Sequence, residues 1–193
     1  TTTIDYTDGT LALTIAADGT VTSSGNLVTT GDLTVSGNDI KDNGGSAAIS
    51  GTFVADHVKL VRSDTTLIPR VFSLVDNIST VTAISNDIAY EDVFSYQLSV
   101  YAKPGDTLLT VSSSGDSENV VKAAEWAKDN GLPIIAFTGF NGGRSSQLAT
   151  INLHVAADNY GVIEDTHQSL MHILAQYIRL STMYEPLIKE RKF

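Results

Sequence analysis

Apolar and polar positions alternate in two different ways along this chain. Over residues 1–43, apolar side chains come singly or in short runs between Thr, Ser, Gly and Asp: Leu11-Ala12-Leu13-Thr14-Ile15, Val21-Thr22, Leu27-Val28. Asp8-Gly9-Thr10 recurs as Asp18-Gly19-Thr20, and Gly25, Gly31 and Gly37 fall six residues apart. β-branched alternation with Asp-Gly and Gly-Asn punctuation predicts short strands joined by tight turns. The six-residue spacing suits a β-solenoid or fibre-like repeat. The plainer reading is an irregular β-rich extension of the main domain.

From Asn43 onward the pattern becomes one of helices and strands in turn. Ser46 to Arg62 carries Ala47, Ile49, Phe53, Val54, Val58 and Val61 at helical spacing. Val71 to Val75 reads as a short buried strand, and Ile78–Ile84 and Asp92–Tyr101 as helices. Thr107–Val111 is an apolar strand after the turn at Pro104-Gly105-Asp106. Ser117 to Asn130 is a strong helix, stopped by Asn130-Gly131 and Pro133. Strand Ile134–Thr138, a short helix Gly142–Ala149, strand Ile151–Val155 and a long helix Ile163–Met183 complete the order. Near-continuous apolar strands between helices predict an α/β domain over residues 44–193, with a parallel sheet flanked by helices on both faces. In such sheets ligands sit beyond the carboxyl ends of the strands.

Composition narrows the partners. With 42% apolar residues the chain is globular rather than disordered. A net charge of −10 argues against nucleic acid and anionic membranes as partners. An anionic ligand must then be captured locally, by hydroxyls, backbone N–H groups and a helix N-terminus. The absence of cysteine excludes disulfides and thiolate chemistry. No apolar run approaches the roughly 18 residues of a membrane span, and no signal peptide opens the chain. Thr1 stands where a methionine would begin a full reading frame, so the chain reads as a processed product or a fragment. Acidic pI and lack of cysteine fit a cytoplasmic protein.

The clearest chemical feature is Thr110-Val111-Ser112-Ser113-Ser114-Gly115-Asp116-Ser117, which follows a strand and opens a helix. Four serines and a glycine at that junction put hydroxyl and amide donors where the helix dipole favours an anion such as phosphate. The stretch Gly105–Val120 resembles the signature of the sugar isomerase (SIS) domain, and is most similar to its phosphoheptose isomerase branch. Asn43-Gly44-Gly45-Ser46-Ala47, Thr82–Asp87 with Glu91–Ser95, Phe137–Gly143 and Asn159–Gln176 resemble further family segments in order. The likeness spans roughly residues 43–183. Residues 1–43 resemble segments of bacteriophage tail fibres. In the SIS family a helical region precedes the first strand. Here the β-rich segment takes its place, and Asn38–Asp42 separates a candidate first strand, Leu33–Ser36, from the Asn43–Ser46 loop.

The resemblance implies a flavodoxin-like fold and aldose–ketose isomerisation of a sugar of the sedoheptulose 7-phosphate type. It implies catalytic roles for Asp56, His172 and Asp87, and substrate or phosphate contacts for Ser46, Ser112, Ser113, Ser114, Ser117 and Asn86. Some members bind zinc, at positions that fall here on Thr52, Asp56, Glu164 and His172. Threonine replaces the expected histidine, so any zinc would rest on Asp56, Glu164 and His172. Glu164 and His172 lie about 80° apart around a helix axis, close enough for one site. His167 and His172 point roughly 140° apart, so at most one of them serves the site, and the resemblance implies that it is His172. His57 faces away from Asp56. The family also implies a homo-oligomer, a tetramer, with sites built at subunit contacts. Two other readings stay open: a SIS module that binds phosphosugar without turnover, as regulator or adaptor, and a phage-like structural appendage fused to a SIS domain.

Overall fold

The computed structural model describes the strands within residues 1–50 as backbone and residues 51–191 in full; the remaining positions are not described. The chain divides into two compact units, Thr1–Gly37 and Asn38–Phe193. In the first unit β1 (Thr2–Asp5), β2 (Ala12–Ile15) and β3 (Val21–Ser23) form an antiparallel sheet in sequential order. Thr2 lies opposite Ile15, and Ile15 opposite Val21. Leu27–Val28, the candidate strand Leu33–Ser36 and Ser46 lie outside the described residues.

The second unit begins its described part with α1, over residues 51–61, whose second half Asp56–Val61 is π-helical. Next come α2 (Ile78–Asp87), a 3-10 turn Tyr90–Asp92 and α3 (Val93–Tyr101). The core alternates β4 (Leu108–Ser112), α4 (Glu118–Asp129), β5 (Ile134–Thr138), α5 (Gly143–Leu148) and β6 (Ile151–His154). α6 (Tyr160–Thr182) and α7 (Glu185–Glu190) close the order. β4, β5 and β6 are parallel, with Leu108 opposite Ile134 and Ile135 opposite Ile151.

Successive strand residues point to opposite faces. Leu108 and Ile134 therefore share one face, where Ala123, Ala124 and Ala127 of α4 and Leu98 of α3 cover them. The small alanines let α4 lie close to the sheet. Val111 and Phe137 share the other face, packed with Met171 of α6 and bordered by Phe53 of α1 and Leu153 of β6. Both faces are covered, as the near-continuous apolar strands require. Along α6 the buried side chains are Ile163, His167, Met171, Ala175 and Arg179, a stripe of every fourth residue. Arg179 ties the far end of α6 to the end of α1: its Nε donates to Ser63 O at 3.0 Å and its Nη2 to Asp64 at 2.9 Å. Asp64 has φ +61, a left-handed position that a short polar residue tolerates. The Arg191 and Arg179 guanidiniums hold its carboxyl below the usual carboxylate range.

The segment Val71–Val75 is not a strand. It is irregular and then turns, without a place in the sheet. The Leu74 carbonyl accepts from the Gln97 side chain at 3.0 Å, and the Val75 N–H donates to Ser73 Oγ at 3.2 Å. Side chains thus satisfy backbone groups that a ladder would otherwise pair. α7, with Pro186 in its first turn, has no counterpart among the predicted elements.

Phe137 is fully buried at the centre of the α6-facing cluster. Phe137→Ala is expected to lower unfolding free energy by about 3–5 kcal/mol, measured by urea denaturation; a loss below about 1 kcal/mol would contradict this packing.

Candidate active site

β4 ends at Ser112, and Ser113-Ser114-Gly115-Asp116-Ser117 carries the chain into α4. The first N–H groups of a helix have no partner within it. Ser117 stands at the N-cap position, yet its side chain makes no capping bond. The loop is instead shaped from within. Ser112 Oγ accepts from the Gly115 N–H at 3.2 Å, and Ser114 Oγ accepts from the Asp116 N–H at 3.2 Å. The Ser113 carbonyl accepts from the Gly139 N–H at 2.8 Å, which fixes the loop to the end of β5. Ser112 and Ser113 are buried, while Ser114 and Ser117 are half-buried. Asn119 and Ser145, both buried, present Nδ2 and Oγ with no hydrogen-bond partner among the described residues. The hydroxyl count drew attention to the serines; nothing in the sequence pattern singled out Asn119 or Ser145.

Two glycine-bearing loops meet backbone to backbone here. Gly115 has φ +69, and a Cβ on it would lie 2.0 Å from the Gly142 carbonyl oxygen. A Cβ on Gly143, at φ +53, would lie 2.6 Å from the Ser114 oxygen. The Ser145 N–H donates to Gly115 O at 2.9 Å across the same junction. Only glycine fits such an approach. Arg144 adds a charged tie: its Nε lies 3.1 Å from Asp116 Oδ1 and its Nη2 2.7 Å from Glu118 Oε2. The Arg144 backbone N–H and then its side chain hold the Asp116 carboxyl below the usual range, and the Arg144 side chain does the same for Glu118.

Asp56 and His172, 116 positions apart, meet between α1 and α6: His172 Nδ1 lies 2.6 Å from Asp56 Oδ2. Asp56 begins the π-helical turn, a local irregularity often found at functional sites. A carboxylate can only accept, so it selects the imidazole tautomer with the proton on Nδ1. Nε2 of the neutral ring is then an acceptor, and the Gln168 amide lies 3.3 Å from it. The Asp56 side chain is 18% exposed and that of His172 51%, so the pair is anchored inside and open outside.

The other candidates divide. His57 is buried, stacked on Phe53 at 3.9 Å, with Nδ1 2.9 Å from the Phe53 carbonyl. His167 lies on the core stripe with Nε2 3.2 Å from Thr138 O. Burial, before any other cause, pushes its pKa below the ordinary 6.5. Asn86 donates to Asp87 Oδ1 at 2.8 Å on the exposed end of α2, so these two are joined to each other rather than to the Asp56–His172 pair or the serine loop. Thr52 lies one turn before Asp56 on α1, and Glu164 is half-buried near the start of α6. Among the described residues no three His, Cys, Asp or Glu side chains converge as a metal-holding group, so Glu164 is not brought to the Asp56–His172 pair. A carboxylate, an imidazole bonded to it and a neutral threonine hydroxyl do not make a zinc set.

A parallel sheet with a hydroxyl loop at a strand's carboxyl end, and a carboxylate–imidazole pair between the helices of one face, is an α/β domain of the kind that holds ligands beyond the strand ends. The sequence model of the SIS domain matches residues 41–139, and the chain belongs to that family. It is 39% identical over 139 residues to the phosphoheptose isomerase of Colwellia psychrerythraea, covering 70% of each chain. The solved phosphoheptose isomerase of Neisseria gonorrhoeae superposes with a TM-score of 0.64 at 31% identity, covering 71% of this chain and 73% of that one. That of Francisella tularensis gives 0.62 at 29% identity, covering 69% and 70%.

Gly115→Ala is expected to cost about 3 kcal/mol or more, since it combines left-handed strain with a carbonyl clash; a thermal melt unchanged from wild type would contradict the close approach. His167 gives a pH signature. Its folded pKa is depressed, so the unfolded chain binds its proton more readily. Its contribution is complete above the ordinary pKa of 6.5 and is lost as pH falls through the lower folded value. Urea midpoints across this window should fall more steeply for wild type than for His167→Gln, and equal slopes would contradict the assignment.

Proposed function

We propose that this chain is an aldose–ketose isomerase acting on a phosphorylated sugar of the sedoheptulose 7-phosphate type. The observation that carries the reading is the 2.6 Å contact between Asp56 and His172. Isomerisation moves a proton between adjacent carbons through an enediol and needs an acid–base group beside the substrate. In this reading His172 Nε2 takes the proton from one carbon and returns it to the next, while Asp56 holds the ring and steadies its positive charge. The Gln168 amide, near Nε2, gives way to substrate or donates to the developing enediolate oxygen. Ser112, Ser113, Ser114 and Ser117, with the first N–H groups of α4, hold the phosphate. Ser46 is a further phosphate contact carried by resemblance. Asp87 and Asn86 serve the reaction in this proposal only as groups reached from a neighbouring subunit, because they are paired to each other on α2. No step needs zinc.

The serine loop opens the helix on one face of the sheet, and His172 lies on the helix covering the other. A complete site therefore suits an assembly in which subunits share parts, and we propose a homotetramer. Ile173 and Tyr177 in the second half of α6, and Tyr184 just beyond it, are exposed apolar side chains (59%, 69% and 71%) and suit a subunit contact. No helix among the described residues is long and apolar enough to cross a membrane. A charged, phosphorylated substrate supports a cytoplasmic reaction in this reading. The substitution at Thr52 favours one rival reading, a module that binds phosphosugar as a regulator or adaptor without turnover.

His172→Ala separates these. Turnover of sedoheptulose 7-phosphate, followed by NMR, is expected to fall about 10²–10⁴-fold with phosphosugar binding retained. An unchanged rate would remove His172 from the mechanism.

A further inference from the structure

The anion-binding reading of the serine loop leaves a difficulty. Two carboxylates, Asp116 and Glu118, stand inside the segment that would hold a phosphate, at the last loop position but one and the first residue of α4. Acidic groups near a helix N-terminus stabilise the helix itself. Toward a phosphate in the same place they are like charges, and a chain of net charge −10 supplies no general basic field to offset them.

Arg144, the second residue of α5, meets both carboxylates. Its backbone N–H and its Nε reach the same oxygen, Asp116 Oδ1, at 3.0 and 3.1 Å. Its Nη2 donates to the Asp116 carbonyl at 3.1 Å and to Glu118 Oε2 at 2.7 Å. One planar cation thus ties three acceptors of the 116–118 segment, a use that lysine, a point charge, does not reproduce. The two carboxylates are held low in pKa, and so stay ionised with Arg144 between them. All three side chains are about half exposed, so their mutual attraction adds little to stability. Their arrangement matters instead for the field at the loop.

Resting on the assignment of phosphate to the serine loop, we infer that Arg144 is a positioning residue for the anion: it neutralises Asp116 and Glu118 and draws their carboxylates toward α5. Ser114 and the α4 N–H groups then meet the phosphate without two facing negative charges.

The test is titration of the full chain with inorganic phosphate, together with KM for sedoheptulose 7-phosphate. Arg144→Gln is expected to weaken phosphate binding roughly three- to tenfold at low salt, by the screened Coulomb effect of two exposed charges. The loss should shrink at about 1 M salt, where the Debye length is near 3 Å. KM should rise in step, with kcat held within about twofold. Adding Asp116→Asn and Glu118→Gln to Arg144→Gln should restore affinity. The pair Asp116→Asn/Glu118→Gln alone, which keeps Arg144 as an uncompensated cation, should bind phosphate more tightly than wild type; this arm stays informative should Arg144→Gln fail to fold. Unchanged affinity in Arg144→Gln would overturn the inference, as would a loss that neither salt nor charge removal relieves, or a carboxamide pair no tighter than wild type. Ser114→Ala distinguishes the two levels. A loss there without one in Arg144→Gln overturns only the role of Arg144; no loss in either overturns the loop assignment with it.

Discussion

A parallel sheet whose central strands are apolar on both sides has to be covered on both sides, and this requirement sets where the serine loop and the Asp56–His172 pair lie. Leu108 and Ile134 call for α4 on one face, and Val111 and Phe137 call for α6 on the other. The serine loop exists where it does because α4 must begin just beyond β4. His172 stands where it does because Met171, its neighbour, is a core residue of α6. The histidine is one position off the buried stripe, far enough to be half exposed and near enough to meet α1. The serine loop and the Asp56–His172 pair are thus separate consequences of one packing demand.

Two local devices refine that arrangement. The glycines at 115 and 143 let two loops touch through their backbones, which no residue with a Cβ permits. That contact aligns the β4–α4 and β5–α5 loops and gives Arg144 its reach to Asp116 and Glu118. On the opposite face the π-helical turn of α1 begins at Asp56, and Arg179 clamps the end of α1 to α6 through Ser63 and Asp64. The Asp56–His172 distance is held from the residues around it rather than by its own weak surface attraction.

Much of this was legible in the sequence. Strands β4 and β5 announce themselves as apolar runs bounded by turns, β6 as the alternating Ile151-Asn152-Leu153-His154, and the serine cluster marks the carboxyl end of β4. Val71–Val75 misled because an apolar pentapeptide looks the same whether a ladder or side chains such as Gln97 satisfy its backbone. α7 was missed because six residues carry too little periodicity to register. The π-helical turn leaves no mark in the hydrophobic periodicity. Nor could spacing reveal that Asn86 and Asp87 would pair with each other, or that Arg144 would close on carboxylates 26 and 28 positions earlier. Such contacts are set by the third dimension and carry no local pattern. The six-residue spacing of residues 25–37 lies outside the described part of the structure.

The central claim is that a carboxylate-held imidazole moves a proton between adjacent carbons of a phosphorylated sugar. The most direct test is to incubate wild-type protein of known oligomeric state with sedoheptulose 7-phosphate in D2O and follow both carbons by NMR. The account predicts interconversion of ketose and aldose, with solvent deuterium entering at the carbon that exchanges its proton with the imidazole, and no requirement for added zinc. Saturable binding with neither interconversion nor deuterium incorporation would contradict it.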